Sequence, residues 1–343
     1  MTTRKKAEKP MIQQEKTCQK IKGLRSKHSN KLVKNLKKIA CIYLTFCIFA
    51  IQTPSFSKAQ AKTVRDSRNR LVKSDHPMRI ATGALAADEI ILEILSRSNS
   101  RKRLIAVSTI AENPEYSNIS NELQHIKGRI GSETESIITL KPDLVILASY
   151  NRPELISRIE SMGIKTFVLG NFSSLNDIKT NIMLLGNLID EVETAKKIAD
   201  EFSKELDKIE KKSKKNVRIS CLNWTPGGTT MAKGTIFDDI LKTINVENAA
   251  NKFSVRGWPK LSLEKVLELN PKYIISAGNS SEKELILRSL RGSLGWNDLA
   301  AVKSGNLIII PKHHLTSTSH HILKAVKQLY AKIHPTISNS GKK

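Results

Sequence analysis

Cysteine is scarce in this chain of 343 residues: there are four, and Cys18, Cys41 and Cys47 all fall within the first fifty. Downstream only Cys221 remains, so that part can close no internal disulfide and holds no Cys-x-x-Cys metal or redox site. Its setting, "VRISCLNW", reads as an apolar strand in which Cys221 is a small core residue. Aromatics make up 5% of the chain, and no basic cluster interleaves with them as in a nucleic-acid reader, so no nucleic acid is expected as a partner. The glycine-rich "TPGGTTMAKGT" lacks the Lys-Ser/Thr ending of a phosphate loop, and no dinucleotide G-x-G-x-x-G stands near it. A G-x-S-x-G elbow and a Ser-His-Asp spacing are also missing, which argues against an enzyme.

The N-terminal apolar stretch is short. Ile39 to Ile51 is 13 residues without a charge, preceded by 13 Lys/Arg against 2 Asp/Glu and followed by the small-x-small triplet Ala59-Gln60-Ala61. At 1.5 Å per residue it reaches about 20 Å, less than a bilayer core of about 30 Å. A basic segment, a short apolar one and a small-residue site together predict a cleaved secretory signal over 1–61 and a periplasmic protein. A lipid-anchoring reading at Cys47 is weakened by Phe46, too bulky for the small residue a lipobox needs. Beyond residue 61 the charge falls from the whole-chain +25 to +13, from 43 Lys/Arg less 30 Asp/Glu, a solvated basic surface.

The 282 residues after the signal are enough for two domains. A polar linker, 62–77, precedes the strand pattern "MRIAT", the helix "ALAADEIILEILS" and the strand "RLIAVST". A helix from about Glu133, the strand "LVILAS", a helix from Pro153 and the strand "KTFVLG" follow, which predicts a first α/β lobe over 78–172. From 173 to 215 the rhythm gives way to strong helix formers with apolar positions three and four apart, read as one long interlobe helix with a break near Gly186 or Asp190. The α/β rhythm resumes over 216–334, leaving a tail at 335–343. Near-continuous apolar strands flanked by helices predict parallel sheets, hence two Rossmann-like lobes of α/β class.

One pattern occurs twice. "ESIITLKPDLVILAS" starts at Glu135 and "EKVLELNPKYIISAG" at Glu264, with Pro142 and Pro271 at the same offset of 129. Each copy is a helix that ends at a proline and feeds a core strand, one in each lobe. The cleft between two such lobes is the natural ligand site.

These passages, with "GWPKLS", the helix between lobes and "WNDLAAVKSGNLIIIP", resemble the substrate-binding proteins of ABC importers, in the helical-backbone class (class III) that takes cobalamin, siderophores or haem. The resemblance covers roughly Met78 to His334. It implies a monomeric receptor that captures a metal chelate, holds no resident cofactor, and delivers its cargo to an inner-membrane permease with a cytoplasmic ATPase. Cobalamin binders carry an acid on each lobe that meets permease arginines, and those places hold Glu135 and Glu264. Two carboxylates on separate lobes could dock on basic sockets and fix orientation. Alternatively each merely favours a helix N-terminus through the dipole.

Ligand contacts should stand in loops after strand ends. Trp258 takes the place of a ligand-facing Trp in cobalamin binders, and Trp224 follows the first strand of the second lobe; both offer a flat wall or else ordinary packing. Trp296 reads as helix-to-loop packing. Arg129 stands where hydroxamate binders set an Arg against ligand oxygens. Tyr116 and Tyr150 follow strands of the first lobe. His313 and His314, after "NLIIIP", could supply an axial ligand to a bound metallo-macrocycle; His320 and His321 read as part of the last helix. Adjacent imidazoles on an extended loop would point apart and so not chelate one ion readily; a dedicated zinc or manganese receptor built from these histidines is the alternative reading. The tyrosine that many haem binders place before the first-lobe acid has no counterpart in "IKGRIGSE".

Overall fold

The computed structural model describes residues 62–131, 135–225, 227–279, 282–292 and 294–335. The signal expected over 1–61, with Cys18, Cys41 and Cys47, lies outside the described residues, as does most of the tail.

The stretch expected as a polar linker is a hairpin, β1 (Lys62–Arg65) and β2 (Leu71–Ser74), paired antiparallel. Its polar composition hid two anchors: Val64 and Val72 are buried, while the Asp66 carboxylate accepts from the backbone N–H groups of Arg68 and Arg70 and closes the turn. Ser67 N–H then donates to Val168 O of the first lobe, which docks the hairpin.

The first lobe follows the α/β rhythm: β3 (Ile80–Thr82), α1 (Leu85–Arg97), β4 (Leu104–Ser108), β5 (Gly128–Ile130), α2 (Glu135–Leu140), β6 (Leu144–Ala148), α3 (Pro153–Ser161) and β7 (Thr166–Leu169). Its five strands are parallel in the order β5-β4-β3-β6-β7. Strand β5, three residues with Arg129 at its centre, has no apolar pattern to betray it.

The forty-residue helical stretch is two helices, α4 (Leu175–Leu188) and α5 (Val192–Ser213), packed on each other. Ser174 and Asp177 cap the first reciprocally. The break falls at the expected place, with Asp190 at φ +60°. Buried Arg103 holds it, donating to Ile189 O at 2.6 Å and pairing with Glu191 at 2.8 Å. Gly186 is required at the crossing, since a Cβ there would lie 2.1 Å from that of Ala195. At 22 residues α5 runs about 33 Å.

The second lobe contains β8 (Ile219–Asn223), α6 (Ile236–Thr243), β9 (Val246–Asn248), α7 (Leu263–Leu269), β10 (Tyr273–Ala277), α8 (Glu282–Arg291), α9 (Ala300–Lys303), β11 (Leu307–Ile310), α10 (Lys312–Leu315) and α11 (Ile322–Ile333). Its four strands are also parallel, ordered β11-β10-β8-β9. Both copies of the repeated pattern end alike: α2 stops at Lys141 (φ +45°) before Pro142, and α7 at Asn270 (φ +38°) before Pro271.

Strand alternation builds three apolar layers. In β6, Leu144, Ile146 and Ala148 face one cluster while Val145 and Leu147 face another. In β11, Ile308 and Ile310 share that first cluster, and Leu307 and Ile309 turn to a third. The first cluster therefore runs through both lobes, with Cys221 in it, fully buried and its thiol pushed up to about 12 by desolvation. Helix α5 touches α1 of the first lobe and α6 and α11 of the second. The expected class, two parallel α/β lobes joined through helix, is the architecture found.

Candidate functional site

The C-terminal ends of the two sheets meet at a polar seam. From the first lobe, Glu89 of α1 is 1% exposed and accepts from Asn118 N at 2.9 Å and Asn118 Nδ2 at 3.1 Å on one oxygen. Its other oxygen accepts from Ser317 Oγ at 3.3 Å and from Ser319 Oγ, both in the loop between α10 and α11 of the second lobe. Asn118 also donates to His313 O at 2.6 Å, and Lys312 pairs with Glu115. Burial raises the Glu89 carboxyl, against the lowering effect of these donors.

Beside the seam the first lobe opens a cavity of about 530 Å³ at the ends of β3, β4, β5 and β6, walled by Gly83, Ser108, Ile130, Tyr150, Arg152 and Arg158. Strand ends leave room there because the loops diverge to either face of the sheet. Below it Asp88 is fully buried, accepting from Ser108 N–H and from the hydroxyls of Thr82 and Ser108. Desolvation pushes its carboxyl up to about 7.

Tyr150 belongs to this cavity. Its ring is half exposed and lies 5.2 Å from that of Phe172, while its hydroxyl end meets the backbone of Ala86 and the side chain of Thr318. Enclosure of that end pushes the phenol up to about 12. The contact with Ala86 serves a helix start that has no side-chain cap, and Thr318 ties the ring to the second lobe.

On the second lobe two loops beyond β8 pair as a short ladder: Thr230 N–H donates to Pro259 O, Ala232 N–H to Gly257 O, and Gly257 N–H to Lys233 O. Gly257, at φ +69°, makes the turn that presents Trp258, 63% exposed, from a braced backbone. Trp224 differs from the expected flat wall. It is 8% exposed and packs edge-to-face on Trp296, centroids 4.8 Å apart, because both rings fill the layer under α7 and α8. Trp296 is the packing residue the sequence suggested.

Arg129 lies on β5, turned to Glu112 at 2.8 Å and to the carbonyls of Ile126 and Gly128, and it lines a hollow other than the Tyr150 cavity. Tyr116 is exposed in the loop beside Glu115. His313 and His314 do not point apart on an extended loop. They sit on the helical turn α10 with rings in edge contact at 4.3 Å, and Gln328 Nε2 lies 3.0 Å from His314 Nδ1. Burial lowers His313 and takes His314 down to about 4, so both are neutral imidazoles at neutral pH. His320 and His321 stack at 4.1 Å just before α11. Among the described residues no three His, Cys, Asp or Glu gather as a metal-ligand set.

Glu264 stands exposed in the first turn of α7, lowered by the Ser262 hydroxyl that also caps the helix. Glu135 opens α2 in the matching place, and its side chain lies outside the described ones. Sequence reasoning missed Arg152, Arg158 and the Glu89 seam. The arginines follow the strand "LVILAS" within "YNRPELISR", so the rule that ligands meet strand ends could have found them.

Among the described residues no helix is long and apolar enough to cross a membrane. A vitamin B12-binding protein of Pectobacterium atrosepticum is 25% identical over 189 residues, 53% of this chain and 66%, just under two thirds, of that protein. The molybdate-binding protein MolA of Haemophilus influenzae is 24% identical over 302 residues, 80% of this chain and 82% of its own. The haem uptake protein IsdE of Staphylococcus aureus is 24% identical over 298 residues, 84% of this chain and 96% of its own. In fold, a possible iron-binding periplasmic protein of Staphylococcus epidermidis superposes with a TM-score of 0.66 at 21% identity, covering 76% of this chain and all of that one. These are binding and uptake proteins rather than enzymes, and the model of the periplasmic binding protein family matches residues 80–313, so the chain belongs to that family.

Proposed function

We propose that the chain is the extracytoplasmic substrate-binding component of an ABC importer, capturing a metal chelate such as cobalamin, a ferric siderophore or haem between its lobes. The observation that carries this is the pairing of an open cavity at the first-lobe strand ends with the braced, exposed Trp258 on the second-lobe rim. An exposed indole held by a hydrogen-bonded loop pair has no packing duty, and its flat face suits a macrocycle or aromatic chelate. Tyr150 adds a second ring on the opposite lobe. The permease would be met through Glu135 and Glu264, which occupy the first turns of matching helices in the two lobes.

The test is a titration of the purified protein with cyanocobalamin, haemin, a ferric hydroxamate and ZnCl₂, followed by tryptophan fluorescence. Trp258 is open to solvent, so chelate binding should quench it saturably. If zinc alone binds, the four histidines become the site and the chelate reading fails.

A further inference from the structure

We infer that the cleft selects chelates of net negative charge, whose anionic oxygens meet Arg152 and Arg158 on one lobe and the cations around Trp258 on the other. This rests on the receptor reading above and narrows its substrate class.

The first observation is how arginines are used in the hairpin and first lobe. Arg68, Arg70, Arg97, Arg101, Arg103 and Arg129 each hold a carboxylate. Arg65 and Arg79 donate to neighbouring backbone carbonyls. Arg152 and Arg158 differ: among the described residues neither guanidinium has an ion-pair or hydrogen-bond partner, and both line the cavity beside the seam. Glu154 shares that wall and closes no ion pair with them. Two guanidinium forks left open at a concave surface present donors in the geometry that matches carboxylate or catecholate oxygens.

The second observation is independent and comes from the other lobe. The paired loops that brace Trp258 carry Lys233, Arg256 and Lys260, all exposed, and residues 227–234 and 255–261 contain no Asp or Glu. Lys233 and Arg256 are bridged directly across the ladder, so the same backbone pairing that fixes the ring gathers the charges. A cleft in which cations outnumber carboxylates, here five to the one Glu154 on the cavity wall, raises the local concentration of anions. A tris-catecholate iron complex or a haem with ionised propionates fits both walls: flat rings for Trp258 and Tyr150, acidic oxygens for the cations. A neutral trihydroxamate or cyanocobalamin offers the rings or the metal without the compensating charge, leaving five cations unpaired on closure.

The experiment is isothermal titration of the purified protein with ferric tris-catecholate and haemin against a neutral ferric trihydroxamate and cyanocobalamin, at low and high salt. It is repeated with the double variant Arg152→Gln, Arg158→Gln. Both positions are exposed, so the variant should melt with the parent. The expected result is binding of an anionic chelate at least tenfold tighter than either neutral one, weakened at least tenfold by the double variant and by salt. A neutral chelate bound as tightly, or an anionic one untouched by the double variant, overturns this inference and leaves the receptor reading standing. Binding of no chelate of either charge overturns the receptor reading, and this inference with it.

Discussion

Replacing Glu89 by alanine would test whether the polar seam holds the lobes together. The carboxylate is 1% exposed and serves donors from both lobes: Asn118 N and Nδ2 from the first, Ser317 Oγ and Ser319 Oγ from the second. Not all of these would be stranded. Asn118 Nδ2 keeps His313 O at 2.6 Å, and the two serine hydroxyls lie 3.1 Å apart and can bond each other. The backbone N–H of Asn118 and one serine proton lose their acceptor, at about 1 to 3 kcal/mol each for a buried unsatisfied group. Removing a desolvated carboxyl returns part of that, so a net loss of about 3 kcal/mol is expected. For a unit of this size each kcal/mol moves the midpoint by about 2 to 4 °C, so Glu89→Ala should melt about 6 to 12 °C below the parent by calorimetry. Glu89→Gln keeps an acceptor for Asn118 and turns its amide toward hydroxyls that can also accept, and should cost about 1 kcal/mol. If the alanine variant melts within about 1 °C of the parent, the seam contributes no net stability and the argument fails.

Trp258→Ala should weaken chelate binding at least tenfold without lowering the melting temperature, because the ring is exposed; an unchanged dissociation constant would make it a bystander. Glu135→Ala combined with Glu264→Ala should impair uptake in cells while leaving affinity intact, and normal uptake would remove the docking role. Asp88, raised to about 7 by burial, binds its proton more tightly folded than unfolded. Its contribution is therefore complete below about pH 4 and is lost as pH rises through about 7, on the order of 4 kcal/mol at most. Asp88→Asn cannot ionise and should flatten that decline in denaturant titrations between pH 4 and 8; an unaltered slope would place the pH dependence elsewhere.

Local signals were legible before any tertiary contact was known. Apolar strands, helical spacing and the helix-to-proline-to-strand unit at Glu135 and Glu264 are set by residues within a few positions of one another, so periodicity and proline reveal them. They indicate two parallel α/β lobes, a helical connection broken near Gly186 or Asp190, and a core Cys221. Short elements escaped: β5 and β9 have three residues each, and the hairpin hides Val64 and Val72 in polar sequence.

The candidate site was less legible, since its residues acquire their roles from partners far along the chain. Trp224 and Trp258 look alike in sequence, yet one is closed off by Trp296 and the other is raised by a loop ladder. Arg129 and Arg152 look alike in sequence, yet Arg129 is held by Glu112 and by the carbonyls of Ile126 and Gly128, while Arg152 lines the cavity. Glu89 finds Ser317 and Ser319 across 228 and 230 residues. Sequence by itself determined which longer segments become strand and helix, because those preferences are local; tertiary structure alone decided which polar side chains are paired and which are left open, because pairing is a matter of distance in space.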